Sequence, residues 1–75
     1  MLVRSQDGEF LGEISALNVQ TDGKIKGIFS SNERDYYFLG GYSTEKRAKE
    51  VIDDIVAYIS NYGDRKSFVY RMPKE

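Results

Sequence analysis

Ser43-Thr44-Glu45-Lys46-Arg47-Ala48-Lys49-Glu50-Val51-Ile52-Asp53-Asp54-Ile55-Val56-Ala57-Tyr58-Ile59-Ser60-Asn61-Tyr62 enters from Gly40-Gly41 and is the one long periodic stretch of the chain. On a wheel of about 100° per residue, Val51, Ile52, Ile55, Ile59 and Tyr62 fall within roughly 60° of Ala48. That stripe predicts an amphipathic helix from Ser43 to Tyr62. Val56 and Tyr58 flank it, and Lys46, Lys49, Glu50, Asp53, Asp54, Ser60 and Asn61 take the solvated face. Glu45 with Lys49, Lys46 with Glu50 and Lys49 with Asp53 are i,i+4 pairs of opposite charge, worth a few tenths of a kcal/mol each. Ser43 or Thr44 supplies a capping oxygen for the first turn, and Gly63 a left-handed end for the last. Arg65 and Lys66, just beyond, offset the negative end of the helix dipole.

Before this helix the pattern changes to short strands. Asp7-Gly8 and Asp22-Gly23 separate segments rich in β-branched or large apolar residues, the signature of hairpins. The expected strands are Leu2 to Gln6, Glu9 to Glu13, Leu17 to Thr21, Lys24 to Ser30 and Arg34 to Leu39, with Ser31-Asn32-Glu33 turning the last pair. After the helix, Ser67 to Met72 alternates and stops at Pro73, as a closing strand would. The fold class is therefore α+β: a small antiparallel sheet with one long helix on one face, in the order of five strands, the helix and a strand. The 75 residues suffice for one domain with a two-layer core. In the fifth strand Tyr36 and Phe38 point to one face and Tyr37 and Leu39 to the other. One helix covers only one side of a sheet, so the second apolar face needs another cover. A second copy of the chain is the simplest, and a homo-oligomer is expected.

Composition narrows the chemistry. The chain has neither cysteine nor histidine, which removes disulfides, Cys/His zinc sites, thiol nucleophiles and imidazole bases. The expectation is a protein that is not an enzyme and carries no metal or other cofactor. Eleven basic and twelve acidic residues give a net charge of −1, which disfavours general binding of nucleic acid or an anionic membrane. The apolar runs are short, and the first seven residues lack the pattern of a signal peptide, so a cytoplasmic protein with no membrane association is expected.

Leu39-Gly40-Gly41-Tyr42-Ser43-Thr44-Glu45-Lys46-Arg47-Ala48-Lys49-Glu50-Val51-Ile52-Asp53-Asp54-Ile55 resembles a stretch common in small accessory proteins of Gram-positive bacterial phages and prophages, which read approximately LGxYSTExRAxEVLDEI. Met1 to Asp7 and Val69 to Pro73 are similar to the opening and closing segments of the same proteins. Lys46 departs from the pattern by standing where an acid would complete a capping box. The resemblance implies a phage accessory product acting in the host cell during infection. Some small phage proteins sequester nucleotide signals of bacterial immunity, and others block a host protein directly.

Two features suit such capture. The Gly40 to Thr44 run opens the helix, where free N–H groups and the dipole favour a phosphate. Aromatic residues interleave with arginines, a combination able to stack a base and clamp a phosphate. The same features are also those of an ordinary capped turn and of a small core built from aromatics. The candidate ligand-binding residues are Arg34, Tyr36, Tyr42, Ser43, Thr44 and Arg47. The expected function is non-enzymatic sequestration of a small nucleotide-derived signal in counter-defence. The alternatives are a protein-binding inhibitor of a host or defence protein, and, behind it, a nucleic-acid-binding module. Asp53-Asp54 is not a catalytic pair, because adjacent helical residues diverge by about 100°.

Overall fold

The computed structural model describes residues 1–32, 34–62 and 69–75. Its elements are β1 (Leu2–Arg4), β2 (Leu11–Glu13), β3 (Ala16–Val19), β4 (Lys24–Ile28), β5 (Tyr36–Gly41), α1 (Glu45–Tyr62) and β6 (Val69–Arg71). The α+β class and the element order are those read from the sequence. The strands, however, divide into two three-stranded sheets, ordered β2-β1-β6 and β3-β4-β5. The second is an antiparallel meander, whereas β6 pairs parallel with β1. The parallel pair follows from connectivity, since the meander and helix between β1 and β6 supply the long crossover that parallel strands require.

Backbone and side-chain hydrogen bonds in turns shorten several strands relative to the alternation pattern. Ser5 N–H donates to the Phe10 carbonyl at 2.9 Å and Gly8 N–H to the Ser5 carbonyl at 3.0 Å, so residues 5–10 form a loop and not strand ends. The Asp7 carboxylate accepts from the Ser5 hydroxyl at 2.6 Å and from Glu9 N–H at 2.9 Å, and these bonds hold its pKa below the ordinary value. Arg34 and Asp35 likewise sit in a turn before β5, their N–H groups donating to Asn32. At the other end β5 runs on through Gly40 and Gly41, which the sequence places in a turn. Gly40 lets the Tyr42 side chain pack close to β5, since a Cβ would lie 3.0 Å from the Tyr42 hydroxyl oxygen and 3.1 Å from its ring. The Glu33 turn position, the Gly63 cap, Arg65, Lys66 and the Ser67-Phe68 start of the closing strand lie outside the described residues.

Val3, Ile25, Leu39, Val51 and Ile55 are the largest fully buried side chains, so both sheets and the helix meet in one core. Ala48, Val51 and Ile55 of the predicted stripe are buried, and Ile52 is half-buried. Ile59 and Tyr62 are not: they are 41% and 51% exposed. Ile59 lines an open cleft with Met1, Ile14, Ala16 and Leu17, and the Tyr62 ring lies 5.1 Å from that of Tyr58, so the last turn borders the core and does not enter it.

Gln6 joins the two sheets. Its N–H donates to the Leu39 carbonyl at 2.6 Å, and its side-chain oxygen accepts from Gly41 N–H at 2.8 Å. Its amide nitrogen donates to the Lys74 carbonyl at 2.6 Å. The carbonyls flanking Lys74 are held in the same way. Tyr42 Oη donates to Pro73 at 2.8 Å and Arg47 Nη2 to Glu75 at 2.5 Å.

Asp54 is not simply a solvated charge, since it accepts a 2.6 Å hydrogen bond from the buried Tyr70 hydroxyl. Burial and this carboxylate push the Tyr70 pKa far above the usual tyrosine value. A pKa raised in the folded state contributes stability that is complete below the unfolded value, about 10, and is lost as pH rises beyond it. Tyr42, raised by burial against a smaller opposing effect of Arg47, acts in the same direction. Stability measured by denaturant titration should therefore fall above about pH 10, less steeply in Tyr70→Phe than in the parent. Equal slopes in the two proteins would show that Tyr70 does not carry the alkaline transition.

Candidate binding surfaces

The six residues singled out from the sequence divide between two places. Tyr42, Ser43 and Arg47 line a cleft of about 570 Å³ with Gly41, Lys74 and Glu75. Thr44, before the first helical residue, acts as the cap: its Oγ1 accepts from Arg47 N–H at 3.0 Å. The cleft offers the cations Arg47 and Lys74 beside the helix start. Much of its polar capacity is already engaged, with Arg47 bonded to Glu75 and Glu50 and its guanidinium 5.9 Å from the centre of the Tyr42 ring. The Tyr42 ring is buried, so it serves the core more than it offers a stacking surface.

Arg34 and Tyr36 are elsewhere. Tyr36 begins β5, and Tyr42 follows its last residue, a separation of roughly 20 Å at about 3.3 Å per residue. The two rings also face oppositely, Tyr42 into the core and Tyr36 outward. One protomer thus does not gather the six residues into a single site.

Tyr36 belongs instead to the outer face of the β3-β4-β5 sheet. It is 42% exposed and Phe38 is 45% exposed, with their ring centroids 5.4 Å apart in an edge-to-face arrangement. The alternation places Tyr37 and Leu39 inward, where Leu39 is buried and Tyr37 stacks on Phe10 at 4.5 Å. Across the ladder Lys26 is the register partner of Phe38. The Lys26 ammonium lies 4.7 Å from the Tyr36 ring centre and that of Lys24 lies 5.5 Å from the Phe38 ring centre. Such cation–π contacts hold the lysine stems along the sheet and keep their charge next to the rings.

Lys24 and Lys26 complete this face and are not among the six candidates named from the sequence. The signal was present: a Lys-x-Lys pair in one strand of a hairpin opposite Tyr-x-Phe in the next has the period of two that puts all four side chains on one face. Among the described residues no group of three acidic side chains gathers as a metal site, and no helix is long and apolar enough to cross a membrane. Compared with known proteins, the chain matches no family model, no curated protein and no solved structure.

Proposed function

We propose that this protein is a non-enzymatic binding module whose working surface is the outer face of the β3-β4-β5 sheet. The observation that carries this reading is the pair of exposed rings, Tyr36 and Phe38, on a sheet face that the helix leaves uncovered. Exposed aromatic side chains on a rigid sheet lose little conformational freedom on binding and supply most of the contact energy at recognition surfaces. In the phage setting that the resemblance implies, the module counters host defence by docking on a macromolecule of the infected cell. Self-association through the same face is the competing use of the surface.

A second reading keeps the sequestration of a small nucleotide-derived anion, now confined to the cleft of Ser43, Arg47 and Lys74. It is favoured by the two cations beside the helix start. Its cost is displacement of the Glu75 and Glu50 oxygens from Arg47.

The two readings separate in a host whose immune system restricts phage growth. Phe38→Glu should abolish rescue of phage growth with an unchanged melting curve, whereas Lys74→Ala should leave rescue intact. The reverse pattern would assign the function to the cleft. Sedimentation of the pure protein identifies self-association: a mass above one chain that Phe38→Glu returns to one chain would make the partner a second copy.

A further inference from the structure

We infer that the outer face of the β3-β4-β5 sheet binds single-stranded nucleic acid, with bases stacked on Tyr36 and Phe38 and the phosphate backbone held by Lys26 and Lys24. This inference rests on the reading of that face as the working surface and names its partner.

Local charge differs from the charge of the whole chain. The segments that form β3, β4 and β5 contain two lysines and no carboxylate, so the net charge of −1 arises elsewhere. Two acids border the face along the chain: Asp35, next to Tyr36, accepts from the Ser30 hydroxyl at 2.8 Å, and Asp22 in the β3-β4 turn lies 3.8 Å from the Lys24 ammonium. Lys26 is therefore the principal cation of the face, and Arg34 is exposed in the turn before Tyr36.

Size selects among partners. The three strands contribute 15 residues in all, about half of them facing outward, whereas a stable protein interface draws on about 20–30 residues a side. A few nucleotides need much less. Two neighbouring rings each accept one base, and stacking contributes about 1–3 kcal/mol per base irrespective of base identity. The ammonium groups already lie within 4.7 and 5.5 Å of the ring centres. When a base occupies a ring face, its lysine is displaced only as far as the adjoining phosphate. A duplex cannot use the rings, because its bases are stacked on each other and present only their edges.

Fluorescence anisotropy tests this with labelled oligo(dT) and oligo(rU) of about a dozen residues and a duplex of equal length, at about 20 and about 200 mM salt. Both single strands, or one of them if the sugar is discriminated, should bind in preference to the duplex. The slope of log K against log salt should be about −1.5 to −2, corresponding to two or three phosphate contacts at about −0.7 each. Tyr36→Ala and Phe38→Ala should each weaken binding about tenfold with an unchanged melting curve. Lys26→Glu should weaken it and make the slope shallower. No anisotropy change at about 20 mM salt, equal binding of duplex and single strand, or parent-like binding by the double variant Tyr36→Ala/Phe38→Ala would each overturn the inference. If the oligonucleotides fail while Phe38→Glu still abolishes rescue of phage growth, the nucleic acid partner falls and the docking face stands with a protein partner. If Phe38→Glu also rescues like the parent, both readings fall.

Discussion

Ile55→Asp is expected to abolish cooperative unfolding altogether. Ile55 is 2% exposed at the centre of the buried helix stripe between Val51 and the sheets. Burying a carboxyl there without a partner costs about 2–7 kcal/mol, and the lost apolar contacts add to it. A 75-residue domain has roughly 4–11 kcal/mol in total at about 0.05–0.15 kcal/mol per residue, so one change consumes most or all of the stability. Circular dichroism on heating should show a gradual, non-sigmoidal decline. A sigmoidal transition near the parent temperature would mean that Ile55 is not central to the core. Val56→Asp, one residue along on the exposed side, is the control and should melt like the parent.

The second large effect is at the β3-β4 turn. Gly23 has a φ of 88° and accepts the Tyr42 N–H at its carbonyl at 3.0 Å, which docks the hairpin against the entry to the helix. A Cβ there would collide with the Tyr42 carbonyl oxygen, a backbone atom with nowhere to move, and lie 3.1 Å from the Thr44 carbonyl. Gly23→Ala therefore combines left-handed strain of about 1–2 kcal/mol with separation of the turn from residues 42–44, for an expected loss of about 3 kcal/mol. Gly8 provides the comparison. Its φ is 77°, but its nearest neighbours are Arg4 side-chain atoms at 3.7 Å and beyond, so Gly8→Ala should cost only the strain. Denaturant midpoints of the two variants measure the difference, and equal losses would show that the contact with Tyr42 adds nothing.

Local patterns in the chain announce most of this fold. The helix from Glu45 to Tyr62, the Asp22-Gly23 turn and the opposite orientations of Tyr36 and Tyr37 all follow from periods of 3.6 and 2 and from the needs of a left-handed residue. The division into two sheets was not legible, because the parallel pairing of Leu2 with Val69 is a long-range choice that leaves no trace in either segment. Nor was the exposure of Ile59 and Tyr62, which depends on where the tertiary fold places the last helical turn. For the candidate residues the limit was distance. Arg34 and Tyr36 suit the same ligand chemistry as Ser43 and Arg47, but β5 carries them to opposite ends. The charge at the sheet face was legible in the period-two spacing of Lys24 with Lys26 and of Tyr36 with Phe38, once their two strands are paired.

The lacing of the closing segment by Gln6, Tyr42 and Arg47 has an evolutionary consequence. What these three side chains grip is the carbonyl oxygens of Pro73, Lys74 and Glu75, atoms that every amino acid possesses. Substitutions at those three positions that keep the backbone path thus leave the acceptors of the clamp in place, whereas replacing the distant glutamine, tyrosine or arginine removes a donor. The closing segment can exchange its side chains to suit a new ligand or partner at the neighbouring cleft while its backbone stays in place.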